Sequence, residues 1–93
     1  MNEIGDDFYA TIKLKSGEEI LSKVAPCEED DRTLLILSNP IIVEELTVRG
    51  KFQGFKMEPW IKTSNDDMFI LNMNEVMTMS ESNSIEMLSL IHI

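Results

Sequence analysis

Over most of its length this chain repeats apolar residues at every second position, the spacing of a β-strand and not of a helix. "FYATIKLK", residues 8 to 15, sets the pattern. Phe8, Ala10, Ile12 and Leu14 fall on one side, and Tyr9, Thr11, Lys13 and Lys15 on the other. That is an antiparallel strand with one buried face and one wet face. "KSGE" follows, where Gly17 takes a positive φ at little cost, so a hairpin turn is expected. A second strand is predicted from about Glu18 to Cys27, with Ile20, Ser22 and Val24 on one face and Leu21, Lys23 and Ala25 on the other.

The alternation continues with interruptions. "EEDDR", residues 28 to 32, is too charged for a core and reads as a loop. "TLLIL", from Thr33, is apolar on both faces and needs cover on both sides. Asn39-Pro40 breaks it; proline donates no ladder hydrogen bond, so a bulge or edge position is expected. "IIVEEL" resumes the strand, "TVRGKFQG" turns the chain, and "FKMEPWIKT" returns antiparallel with Pro59 at a matching break. "SNDD" is a further turn, "MFILNM" is again apolar on both faces, and Val76 to Met79 is a last short strand. In "NSIEMLSLIHI", Asn83 and Glu86 have capping-box spacing, and Ile85, Leu88 and Ile91 share a helical stripe. The final apolar residues suit a strand as well, so both remain open. The fold expected is all-β: five or six short antiparallel strands in meander order, curled into a small, strongly bent barrel. One domain spans 1–93, with the barrel at about 8–80 and a tail at 81–93 that a short helix would occupy.

Ninety-three residues bury roughly 60–70% of their extended surface, so pairing with other copies adds much to a modest core. The net charge of −9 argues against a general polyanion binder, which needs a basic footprint. No apolar run approaches the ~20 residues that span a bilayer. The acidic "MNEIGDDF" lacks the apolar core of a secretory signal. A single cysteine, Cys27, builds no internal disulfide, and a reducing cytoplasm is the expected compartment.

The first hairpin resembles the opening motif of the Sm and Sm-like (LSm, Hfq-like) proteins: a strand, a short turn ending in glycine, a bent second strand, then a loop with an Asp and an Asn four residues apart. Leu14, Ser16 and Gly17 match the strand and turn, and Ile20 and Val24 match the apolar positions. Ser22 falls where a very small residue permits the bend, and Cys27 takes the apolar place before the loop. Glu28 and Arg32 stand in the places of the Asp and Asn. "MFILNMNEVMTM" is similar to the end of the family's second motif, and "PW", Pro59-Trp60, is shared with small Sm-like proteins of marine phages. The resemblance covers roughly residues 8 to 37 and 67 to 80. The family's Arg-Gly turn would fall at Asn72-Met73 and is missing; Val48-Arg49-Gly50 lies too early and reads as a loop. Its base-stacking position falls on Asp31, which cannot stack. The resemblance implies a homo-oligomeric ring of about five to seven copies closed through sheet edges, with single-stranded RNA as partner.

Candidate residues follow. Arg32 and Lys23 bracket the acidic loop, and in a ring Arg32 of every copy would line a rim. Asn72 and Asn74 have amides that can reach a base edge, or are plain turn residues. Arg49 to Lys62 is the stretch that mixes cations with aromatics, and Arg49, Lys51 and Phe52 are its RNA-binding candidates, since aromatic faces stack bases. Trp60 and Phe55 suit a core or interface equally. Met68, Phe69, Ile70, Leu71, Val76 and Met77 are the oligomer-interface candidates, with Phe69 and Leu71 facing the core while Met68 and Ile70 face a neighbour, or the reverse. "EEDD" and "NDD" lack the spacing of a calcium loop, and His92 is the only histidine, so no metal, cofactor or catalytic set is expected. The expected function is non-enzymatic RNA binding or RNA regulation by a ring of phage origin; the competing one is a structural or protein-interaction ring without nucleic acid.

Overall fold

The computed structural model describes residues 6–81, together with the backbone of Glu3–Ile4. The expected helix within 81–93 lies outside the described residues. The elements are β1 (Glu3–Ile4), β2 (Phe8–Leu14), β3 (Glu19–Glu29), β4 (Arg32–Val48), β5 (Lys51–Pro59), β6 (Met68–Asn72), a single 3-10 turn (Met73–Glu75) and β7 (Val76–Glu81). The described chain is all-β.

β2 and β3 form the predicted hairpin, from Phe8↔Val24 to Lys13↔Glu19. Gly17 closes it with φ +99° and donates to the Leu14 carbonyl at 2.9 Å. Alternation decides the faces: Ala10, Ile12, Leu14, Ile20 and Val24 are buried together with Leu35, Leu37 and Leu71 in one cluster. Phe8, Trp60, Val76 and Met79 pack against it. A flat sheet could not bring residues of β2, β3, β4, β6 and β7 into one cluster, so the sheet is strongly curled.

The charged segment 28 to 32 is not a loop. Glu28↔Thr33 and Glu29↔Arg32 extend the ladder to its end, leaving Asp30 and Asp31 as a two-residue turn. Asp30 takes φ +52°, a conformation that aspartate tolerates better than most residues. The strands are also not all short. β4 runs 17 residues, about 55 Å at ~3.3 Å per residue, which matches the 52 Å long axis of the molecule.

β4 reaches this length because Asn39-Pro40 acts as a joint. Leu21 pairs with Ile41 and Lys23 with Ser38, so Ser22 alone faces both Asn39 and Pro40, the predicted bulge. Asn39 takes φ +52°. Its N–H donates to the Asp67 carbonyl at 2.7 Å, and Trp60 N–H donates to the Pro40 carbonyl at 2.9 Å. Before the joint β4 pairs with β6, from Leu34↔Asn72 to Ser38↔Met68. After it β4 pairs with β5, from Ile41↔Pro59 to Val48↔Lys51.

The meander expectation therefore holds only for β2 to β5. β6 returns to β4 on the side that β5 occupies, and β7 crosses to pair with β2, from Leu14↔Val76 to Ala10↔Glu81. The strand path is β5-β4-β3-β2-β7, with β6 on β4 and β1 on β3, and it does not close.

Candidate assembly edges and RNA-facing residues

The open path leaves β6 and β7, like β1 and β5, with one partner strand each among the described residues. Such edges present unpaired backbone donors and acceptors that pair readily with another chain. On β6, Leu71 pairs with Leu35 on the core face, and Ile70 pairs with Ile36 on the other. Leu71 is buried, while Ile70 is 71% and Met68 57% exposed. Leu71 thus faces the core and Met68 and Ile70 face outward. On β7, Met77 is 63% exposed, whereas Val76 and Met79 pack against the core. Of the six interface candidates, Met68, Ile70 and Met77 face outward. Leu71 and Val76 serve the subunit's own core, and Phe69 is half-buried on the Leu71 face. Alternation alone could not divide them, because both faces of "MFIL" are apolar.

The RNA candidates separate into distant groups. Arg32 begins β4, exposed, with Nη2 3.9 Å from Glu29 Oε1 and the acidic turn beside it. Thr33 Oγ1 donates to the Glu28 carboxylate at 3.0 Å, which fixes one more acid next to Arg32. Lys23, in the middle of β3, has its ammonium 3.1 Å from Asp7 Oδ2. That hydrogen bond holds the Asp7 carboxyl below the usual carboxylate range and raises the Lys23 ammonium. Asn72 caps the 3-10 turn: its Oδ1 accepts from Asn74 N–H at 2.9 Å. Its amide oxygen is therefore committed to the turn. Arg32, Asn72 and Asn74 lie toward the acidic-turn end of β4, since Asn72 pairs with Leu34.

Arg49, Lys51 and Phe52 lie at the opposite end, on a two-stranded arm made of the far half of β4 and of β5. Arg49 (φ +54°) and Gly50 (φ +76°) form its tip. Two successive positive φ values are those of a type I′ hairpin turn, so Val48-Arg49-Gly50 is the arm's turn and not a displaced family motif. Arg49 and Lys51 are exposed and make no ion pair among the described residues. The other cations of the stretch are engaged: Lys56 and Lys62 reach the Glu58 carboxylate at 2.9 and 2.7 Å.

Pairing also fixes the arm's faces. Glu45↔Phe55 and Thr47↔Phe52 share one face, and Leu46↔Gly54 and Val48↔Lys51 the other. Phe52 and Phe55 meet edge to face, centroids 5.3 Å apart at 73°. Both stay exposed, as do Leu46 and Val48 on the far face. At the arm's root lies a groove of about 670 Å³ lined by Lys13, Glu19, Val43, Glu45 and Phe55. Trp60 has a structural place: its ring packs against the core and its Nε1 donates to Glu18 Oε2 at 3.3 Å. The sequence missed these ion pairs because their partners, Asp7 for Lys23 above all, are brought together only by the folded sheet.

Comparison with known proteins agrees with this architecture. A search of curated proteins found no match. The family model described as Sm_like domain matches residues 11–90, most of the chain. That span includes most of the β2–β3 hairpin, the long β4, the arm, and β6 and β7. Domains of this kind generally form oligomeric rings and bind RNA. The chain belongs to the Sm-like family.

Proposed function

We propose that this protein is a non-enzymatic ring of identical subunits that holds single-stranded RNA. The observation that supports it is the pair of open edges, β6 and β7, each with outward apolar side chains at Met68, Ile70 and Met77. Pairing one subunit's β6 with the next subunit's β7 satisfies both edges and buries apolar area at roughly 25 cal/mol per Å². Five to seven copies is the ring size that the family resemblance implies. "PW" at Pro59-Trp60 supports a phage setting, and the single cysteine, Cys27, a reducing cytoplasm.

Of the candidate cations, Arg49 and Lys51 make no ion pair among the described residues and stand open to phosphate, repeated once per subunit. Arg32 and Lys23 are already paired to carboxylates and would have to exchange partners. The test is titration of oligo-U and oligo-A across a salt series. Arg49→Ala with Lys51→Ala should weaken binding and flatten the salt slope by up to about one per lost phosphate contact. A larger loss from Arg32→Ala moves the RNA to the acidic-turn rim.

A second reading, a protein-interaction ring without nucleic acid, is favoured by the net charge of −9 and by the engaged Lys23, Arg32 and Asn72. Undetectable oligonucleotide binding at low salt, with the ring intact, selects it.

A further inference from the structure

The arm is the part of the fold least able to stand alone. A two-stranded ribbon is marginally stable in water, and this one carries Leu46 and Val48 on one face and Phe52 and Phe55 on the other, all exposed. Contiguous exposed apolar surface marks a contact site.

Strand directions indicate what covers it. β6 and β5 lie end to end along the same side of β4, with Ser38↔Met68 followed by Ile41↔Pro59. The open edge of β6 therefore leads into the open edge of the arm. Inside one subunit β7 runs away from the arm. Val76 pairs with Leu14, near the arm's root, and Glu81 pairs with Ala10, farther from it. The Glu81 end of β7 thus points away from its own arm. Joined antiparallel to the neighbour's β6, β7 runs the other way: its Val76 end meets Asn72 and its Glu81 end meets Met68. Every strand pair described in this sheet is antiparallel. The Glu81 end of β7 is then directed toward the neighbour's Pro59 and its arm.

Length and chemistry agree. β5 has nine residues, about 30 Å, and the segment 82–93 reaches up to about 40 Å when extended. That segment, "SNSIEMLSLIHI", is half large aliphatic and Met residues and carries one formal charge, Glu86.

Resting on the ring reading above, we propose that residues 82–93 of each subunit cover the arm of the adjacent subunit, against Phe52 and Phe55. The ring is then fastened twice per interface, once by edge pairing and once by this segment.

Differently tagged subunits test this in Cys27→Ala full-length protein. Subunits with Phe52→Cys are co-assembled with subunits carrying Leu88→Cys, and a second mixture uses Phe55→Cys with Ile91→Cys. Oxidation should give a mixed-tag dimer band in at least one mixture, lost on reduction, with ring mass unchanged by light scattering. Both cysteines in one chain should give a covalent ladder. An intact ring with no mixed-tag band from either pair, or a disulfide confined within single chains, overturns the proposal. Loss of oligo-U binding by Phe52→Ser, without mixed-tag bands, gives this face to RNA and overturns it too. A single-protomer mass instead reports failure of the ring itself, and the proposal falls with it.

Discussion

The Ser22 hydroxyl, fully buried, lies 3.1 Å from the Ser38 carbonyl and 2.9 Å from the Lys23 carbonyl, at the position where one residue of β3 faces two of β4. A small residue lets the strands approach at the bend, and its hydroxyl hydrogen-bonds carbonyls of both strands there. Ser22→Ala should therefore cost about 1 kcal/mol. Ser22→Leu should cost more, about 2–3 kcal/mol, because the site has no room for added methylenes. Urea unfolding followed by Trp60, the one tryptophan of the chain, measures both; equal midpoints for the two variants would refute the packing account.

Trp60 joins the end of β5 to the first hairpin turn through Glu18. Trp60→Phe keeps the ring against the core and loses the N–H, so about 1 kcal/mol or less should be lost. Trp60→Ala also empties part of the site and should cost about 2–3 kcal/mol. Glu18→Gln keeps an acceptor and should match the parent protein in thermal melts followed by circular dichroism.

Glu58 receives two lysines, Lys62 first and Lys56 second, and their hydrogen bonds hold its carboxyl below the usual carboxylate range. A folded value below the unfolded one means that the contribution is present above the unfolded value and is lost as pH falls through the folded value. Glu58→Gln should accordingly differ from the parent at neutral pH and converge with it in acid. Both lysines are largely exposed, so added salt should shrink the neutral-pH difference. A difference that grows toward low pH contradicts this pairing.

Charge placed on an open edge should separate assembly from folding. Ile70 is 71% exposed in one subunit, so Ile70→Lys should leave the subunit's own fold nearly unchanged, within about 0.5 kcal/mol. It should nevertheless break the contact with the next subunit. Sedimentation velocity beside circular dichroism reads the two effects; a ring that survives Ile70→Lys and Met77→Lys together places the interface elsewhere.

Much of this was legible in the residues. Alternation located the strands, Gly17 the first turn, and Asn39-Pro40 the bulge, each through a local rule of period or backbone angle. What escaped was longer in range. The residues mark the bulge at Asn39-Pro40 and the strand's resumption at "IIVEEL", but not that β4 changes partner there, from β6 to β5. "EEDDR" looks like a loop because charge says only that it is exposed; the strands reach through it to a two-residue turn. The candidate cations looked free until the fold brought Asp7 to Lys23 and Glu58 between two lysines. Phe69, Leu71 and Val76 could be divided from Met68, Ile70 and Met77 only once pairing set which face was inward.

The central claim is that the open edges of β6 and β7 complete each other between copies. Native mass spectrometry of the full chain, checked by light scattering across a concentration series, tests it most directly. The account predicts one closed species at about five to seven times the 10.6 kDa protomer. A 10.6 kDa species that persists at every concentration contradicts it.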